Sequence, residues 1–484
     1  MVDVDVPAYL SFLPQTLLAA LDAVAEPVPD VPGLRVLAGL QREYPALEST
    51  EVLSLVVEVY RAVRDELRDV LEARRVDRAF VDEVTRQCRE ANAGKRVDDP
   101  SWATVIGARD ASGRVVVGPS GEEVAVAPVS RPTFFPATQR PGEGFEVTLF
   151  GPPDSAKLAV NAMNALHRKK AGEPAIVGEL VAASGQVPRW GADSEDSKTP
   201  MARDLLRATE NLAACFDGTL QVDEGSRVYR LAEDGLALPL KRVAGLALPD
   251  GNHLLDGQPL PLHLVELVQH VWANRGEPRA HVLYFPKLET EGEATYLAHL
   301  FEAVEAAIQR RGPTFAVGSL RVLVVFENPR AIFRIKEIAR ALGRYFLGGS
   351  LGWHDFLAST ARLFKEDPGY RIPVKADPNI VIHHIRESHH ILVRDLAACG
   401  AQKIGGMYGI LPTDGDAASY AVAMVGFIKD VVTQMKRGLD GFWVAHPDFV
   451  RLGIALVEAW RQRERSGATD PEGDALERLI AALV

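Results

Sequence analysis

The chain has 484 residues, is 47% hydrophobic and 25% charged, and carries a net charge of -11. That balance is ordinary for a globular protein and excludes extensive disorder, while the acidic excess argues against general nucleic-acid binding, which needs a basic footprint. Three cysteines, Cys88, Cys215 and Cys399, are odd in number and far apart, so they offer neither a disulfide framework nor a CxxC metal site.

The N-terminal stretch MVDVDVPAYLSF has acids where a signal peptide carries bases, and no apolar run approaches the ~20 residues that span a bilayer. A cytoplasmic location is the expectation. Residues 1 to about 95 read as helical: Leu53, Val56, Val57, Tyr60, Val63 and Leu67 recur at helical spacing. Residues 101 to 130 alternate apolar and polar around DASG and PSGE, which predicts a small β-hairpin or meander. RPTFFPATQRPGEG, 131 to 144, is rich in Pro and Gly and reads as a linker.

From 145 onward, short apolar runs alternate with helical stretches. The strand candidates are FEVTLFG, RWGADSED, LPLKRVAGLAL, HVLYFPKLE, LRVLVVFEN, RYFLGGSLGWHD and AQKIGGMYGILP. The alternation predicts parallel β/α units, and 145 to about 460 is the right length for a TIM (β/α)8 barrel. A doubly wound sheet is the alternative, but no GxGxxG opens a helix here. The predicted organisation is an N-terminal helical region with a small β segment over 1–135, a barrel over 145–460 and a short helical tail over 461–484.

Active sites of such barrels form at the C-terminal ends of the strands. Those ends carry Asp193, Glu195 and Asp196; Lys241 and Arg242; Glu327; and Asp355. Each also has a structural reading. Asp196 or Ser197 suits a cap for the helix after Pro200, Asn328 before Pro329 looks like a helix start, and Lys287 could salt-bridge a strand-end acid. Glu327 is the hardest to read as structural, because it ends the apolar run VLVVF, and a buried carboxylate demands a partner or a metal. Two carboxylates with a third nearby through water suit Mg²⁺, a hard ion that keeps open positions. Arg242 could then stabilise negative charge on an enolate oxygen. The histidines 383, 384, 389 and 390 lack the i, i+4 spacing of a helical metal pair and read as surface or packing residues. Basic residues 168 to 170 read as a helix end, and Cys399 as core.

Taken in order, these segments resemble the malate synthase family in its shorter, A-type form, over residues 145 to about 455. GADSEDSKTP is similar to its A-D-F-E-D-x-x-x-P strand end, LKRVAGLAL to R-x-x-G-x-x-L, and LYFPKLET to Y-L-P-K-x-E. VLVVFEN resembles V-L-I-E-T, SLGWHDF resembles G-x-x-D-Y, and DGFWVAHP is nearly D-G-T-W-V-A-H-P. The resemblance implies a TIM barrel behind an N-terminal helical clasp, with an acyl-CoA and an α-keto acid (glyoxylate or larger) as substrates. It implies Glu327 and Asp355 as Mg²⁺ ligands and Glu195 as the holder of a metal-bound water. It makes Arg242 the catalytic cation, Asp193 a substrate-binding residue, and Gly352, Trp353 and His354 the loop for the keto-acid carboxylate. Related malyl-CoA and citryl-CoA lyases share that core.

Three departures accompany the match. The family's base lies in an M-E-D-x-A-T motif after the barrel, and the residues after WVAHP contain no such motif; their acids include Glu458, Asp470 and Asp474. Residues 171 to 188 look inserted, and His354 stands where the family has a large aromatic. The expected function is Mg²⁺-dependent carbon–carbon bond formation. A CoA-dependent lyase, an aldolase with a decarboxylating malonyl-CoA donor, or a catalytically silent homologue are the alternatives. Neither nucleic acid nor membrane is an expected partner.

Overall fold

A computed structural model describes residues 13–91, 124–132, 146–196, 201–312, 314–363, 383–413, 415–467 and 473–484. Eight strands form a closed barrel: β1 (Glu146–Gly151), β2 (Arg189–Asp193), β3 (Leu238–Arg242), β4 (Val282–Phe285), β5 (Arg321–Phe326), β6 (Phe346–Leu351), β7 (Gln402–Tyr408) and β8 (Gly441–Val444). Every pairing is parallel, each strand lies beside its neighbour in sequence, and β8 closes on β1. The expected TIM barrel is therefore present. Parallel neighbours need a long crossover, which explains why the apolar runs are separated by helical stretches.

The pleat decides what each strand residue does. Leu238 and Leu240 of β3, Tyr284 of β4, Leu323 and Val325 of β5 and Ile404 of β7 fill the barrel interior. Continuing the same alternation, Arg242 and Glu327 fall on the inward side at the C-terminal mouth. Lys241 has the opposite parity. Its ammonium sits outside the barrel, 2.5 Å from Glu266 Oε1 and within 2.6 Å of Ser194 Oγ.

Outside the barrel, α1 (Thr50–Ala91) packs on α2 (Leu262–Ala273) and α3 (Glu291–Arg311). Ser49 Oγ accepts from Val52 N at its start. The stripe Leu53, Val56, Val57, Tyr60, Val63 and Leu67 is buried against Leu264, Val268, Leu297 and Phe301. Each such side chain contributes about 1.5–3 kcal/mol relative to exposure.

The N-terminal region is not helical throughout. Ala25–Pro27 and Leu34–Leu37 are strands that join Pro249–Leu255 and Gln258–Pro261 in a four-stranded antiparallel sheet. Of the expected hairpin at 101–130, residues 101–123 lie outside the described residues, and 124–132 form no strand. Most of the expected linker also lies outside them. Within the apparent insertion, Ala175–Ser184 is a helix packed against α5 (Asp448–Ser466), so it extends the barrel's outer layer. After α5 the helix Ala475–Leu483 buries Leu476 and Leu479. Among the described residues no helix is long and apolar enough to cross a membrane.

Candidate active site

The mouth of the barrel holds a cleft of about 350 Å³ lined by strand-end residues, including Phe150, Asp193, Asp196, Arg242, Glu327 and Asp355. Gly352, Trp353, His354 and Trp443 also line it. Of the residues singled out from the sequence, Asp193, Asp196, Arg242, Glu327, Gly352, Trp353, His354 and Asp355 thus converge on one place, although Asp193 and Asp355 are 162 positions apart in the chain, while Lys241 lies outside it.

Arg242 is the hub. Its Nε donates to Asp193 Oδ1 and its Nη2 to Asp193 Oδ2, each at 2.8 Å. Nη2 also donates to Asp196 Oδ2 at 2.8 Å, and Nη1 lies 3.5 Å from Glu195 Oε2. The guanidinium sits 5.3 Å above the Phe150 ring. This fork geometry needs an arginine, because only a planar guanidinium meets a carboxylate with two parallel bonds. Burial works against the charge, yet Asp193, Asp196 and Glu195 hold the Arg242 pKa above its ordinary range.

Asp196 is consequently a partner of Arg242 and not a helix cap. The helix Ala202–Phe216 starts after Met201 with no side-chain cap bond. Asn328 does cap, accepting from Arg330 N at 2.8 Å with Pro329 in the first turn. Asp193 Oδ1 additionally accepts from Glu195 N at 2.9 Å, which fixes the turn that carries the other two acids.

Lys287 completes the cluster. It salt-bridges strand-end acids, as its place in FPKLE suggested. Nζ lies 2.9 Å from Glu195 Oε1, 3.6 Å from Asp355 Oδ2, 3.8 Å from Glu327 Oε1 and 4.0 Å from Asp196 Oδ1. Its backbone has φ of +56°, a conformation rare for a residue with a side chain and common at functional sites. Neighbours hold it there: Lys287 N donates to Glu327 Oε1 at 2.7 Å, and Arg74 Nη2 of α1 donates to Lys287 O at 2.5 Å. Arg74 is itself clamped on Glu293 of α3, at 2.6 and 2.9 Å. Nothing in the sequence pointed to Arg74, whose partners lie more than 200 residues away.

The electrostatics follow from burial. Glu327 is 3% exposed, and desolvation pushes its carboxyl up to about 8 against the pull of Lys287. Desolvation likewise pushes Glu195 up to about 7 against Arg242. Burial would raise Asp196 too, but Arg242, Glu195 and Lys287 together outweigh it and leave Asp196 below the usual carboxylate value. For Lys287, burial opposes the ammonium, yet Glu327, Glu195 and Asp355 hold its pKa above the ordinary lysine range.

Gly352 leaves room for Glu327. A Cβ there would meet Glu327 Oε2 at 2.8 Å and Val325 Cγ1 at 2.8 Å. Its N–H donates to Phe326 O at 3.1 Å, so the residue supplies space and not a substrate donor. Trp353 and His354 open α4 (Trp353–Leu363), the helix end that favours anions. Trp353 Nε1 donates to Met407 O at 2.9 Å, and the His354 ring stacks on Trp353 with centroids 3.5 Å apart.

The donor set has the chemistry of a magnesium site: Glu195, Glu327 and Asp355 offer hard carboxylate oxygens arranged about a positive charge. The charge at their centre is the Lys287 ammonium, at distances suited to an ion pair. Among the described residues no three acidic, His or Cys side chains converge closely enough to hold a metal as they stand. Of the other candidates, His389 Nδ1 is 2.9 Å from Arg437 Nη1, Cys399 is buried, and Arg168 pairs with Asp448 at 2.6 Å. The histidine side chains at 383 and 384 lie outside the described residues. Asp474 caps the last helix and pairs with Arg463, and Glu458 pairs with Arg465 at 2.8 Å; residue 470 is not among those described.

Fold and cleft define a TIM-barrel protein with an acidic, arginine-centred site at its C-terminal mouth. The family model for the malate synthase TIM barrel domain matches residues 239–471. Over 446 residues the chain is 27% identical to malate synthase of Oryza sativa subsp. japonica, covering 89% of this chain and 68% of that protein. It is 29% identical over 301 residues to glyoxysomal malate synthase of Cucumis sativus, covering 57% and 52% respectively. The chain thus spans between about half and two thirds of the length of these relatives. A solved pyruvate/acetyl-CoA ternary complex of Haloferax volcanii malate synthase is 15% identical, with a TM-score of 0.41, covering 64% of this chain and 69% of that one.

Proposed function

We propose that the cleft joins an acyl-CoA to an α-keto acid in a Mg²⁺-assisted, malate-synthase-like condensation. The observation that carries this reading is the gathering of Arg242, Lys287 and five carboxylates, Asp193, Glu195, Asp196, Glu327 and Asp355, at one barrel mouth. Glu327 and Asp355 would hold the ion, with Glu195 reaching it through a water. When bound, Mg²⁺ supplies a Lewis acid for the keto oxygen.

The chain's own residues do the rest. Arg242 is preorganised by Asp193 and Asp196, so its charge costs no reorganisation as an enolate oxygen develops. The start of α4 at Trp353 and His354 receives the keto-acid carboxylate. Phe150, Trp353 and Trp443 exclude water from the carbon centres, which strengthens every charge interaction in the cleft. The new bond forms between the thioester α-carbon and the keto carbon, and the proton lost from the former ends on the new hydroxyl. Water then cleaves the thioester and frees CoA.

The test is CoA release with acetyl-CoA or malonyl-CoA, each offered with glyoxylate and with larger keto acids, with Mg²⁺ or with EDTA. The expected result is release that needs both substrates and is abolished by EDTA. Release unaffected by EDTA, or none with any pair, would refute the proposal. Reaction with malonyl-CoA alone would assign the decarboxylating donor.

A further inference from the structure

We infer that Lys287 is a positioning residue that competes with the divalent cation for the same carboxylates, so that the metal binds only as the ammonium withdraws. The inference rests on the magnesium reading above.

The geometry carries it. A single Nζ lies within 4.0 Å of four carboxylates, those of Glu195, Asp196, Glu327 and Asp355. Three of these are the groups that would serve a metal. A magnesium ion needs oxygens at about 2.0–2.1 Å in a near-octahedral shell. An ammonium among the same oxygens holds them at ion-pair distances, and no three of the described acids are drawn closer. The two cations cannot share that point, because like charges this close repel strongly in a desolvated site.

The backbone and the side chain of Lys287 have different freedom. The backbone is held on both sides, by Glu327 Oε1 at N and by Arg74 at O, in a left-handed conformation. It cannot retreat without breaking both bonds. The side chain is 39% exposed along its stem while its Nζ is buried among the carboxylates, and rotation about the four-carbon stem would carry the ammonium to water while the backbone stays. Five carboxylates face two cations without metal, and with metal a dication replaces the departing ammonium, so the exchange leaves the site one charge less negative.

Two variants separate competition from simple support. Lys287→Met keeps the stem and removes the charge; Lys287→Arg keeps the charge. Mg²⁺ binding is read by titration calorimetry on the full chain without substrate, and metal-induced stabilisation by thermal melting. Lys287→Met should bind Mg²⁺ more tightly by about tenfold or more, since a unit charge a few ångströms from the ligands no longer opposes entry. Lys287→Arg should stay within about threefold of wild type. Without metal, Lys287→Met should melt below wild type, and Mg²⁺ should raise its melting point by a larger step. In wild type, Mg²⁺ should increase labelling of Lys287 by an amine-reactive ester, read by peptide mass spectrometry. This last measurement needs no variant to fold.

Wild type that binds Mg²⁺ while Lys287→Met binds equally or more weakly would overturn the inference and leave the magnesium reading standing. Unchanged or reduced Lys287 labelling with Mg²⁺ would do the same. No binding by wild type or either variant would remove the magnesium reading and this inference together.

Discussion

Replacing Arg242 tests the site at its hub. Arg242→Ala deletes a two-pronged bond to Asp193, a bond to Asp196 and the 3.5 Å contact with Glu195. Arg242, Asp193 and Glu195 side chains are at most 10% exposed, so two carboxylates are left in a desolvated place. Breaking such a buried pair from one side costs about 3–5 kcal/mol. Asp196 is 52% exposed, and its share is small, about 0–1 kcal/mol. Arg242→Lys keeps a charge and loses the fork, so it should fall between. Stability is read by urea unfolding without metal. Turnover is read as CoA release normalised to the folded fraction, and it should drop by about 10²–10³ in Arg242→Ala, the loss expected for one preorganised donor. Near-normal turnover per folded molecule would remove Arg242 from the catalytic set. A stability within ~0.5 kcal/mol of wild type, typical of an unconstrained surface change, would refute the hub.

Further outcomes follow from neighbouring geometry. Gly352→Ala places a methyl 2.8 Å from Glu327 Oε2 and from the buried Val325 Cγ1, so turnover per folded molecule and Mg²⁺ affinity should both fall, and overpacking should lower stability by about 1–3 kcal/mol; unchanged metal titration would count against the assigned role of Glu327. Glu327→Gln should weaken Mg²⁺ binding at least about tenfold by calorimetry, the scale on which even outer-shell partners matter; equal binding would place the metal elsewhere. His253 sits between Asp250 Oδ2 at 2.6 Å and Glu48 Oε2 at 3.0 Å. Burial alone would lower its pKa, but Glu48 and Asp250 hold it well above 6.5. A raised folded pKa means the contribution is complete below pH 6.5 and fades as pH climbs through the folded value. The stability gap between wild type and His253→Gln should therefore be widest near pH 6 and shrink at alkaline pH; a gap independent of pH would show that His253 is neutral.

The barrel was legible because its strands are short apolar runs divided by helical stretches, and parity then sends Arg242 and Glu327 inward. The long helix was legible from Leu53 to Leu67 at a 3.6 period. What escaped was non-local. The strands Ala25–Pro27 and Leu34–Leu37 pair with residues near 255, and no local pattern announces an edge completed 200 residues later. Asp196 looked like a cap because a strand-end acid before a helix often is one; the nearby guanidinium won it instead. Arg242 read as a catalytic cation, and the triple carboxylate brace around it could not be read from spacing. The positive φ of Lys287 had no signature either, since neither Gly nor Asn stands there.

The long helix α1 has a consequence for synthesis. Its apolar stripe is completed by α3, which lies about 200 residues later in the chain. At roughly 5–20 residues per second, that stripe leaves the ribosome about 10–40 s before its cover exists. During that interval Leu53, Val56, Val57 and Leu67 are an exposed adhesive surface on the nascent chain. The Arg74 contact that fixes Lys287 cannot form until the same interval ends. Slow translation between residues 91 and 311 would prolong that exposure, making the helix a natural client for a holding chaperone.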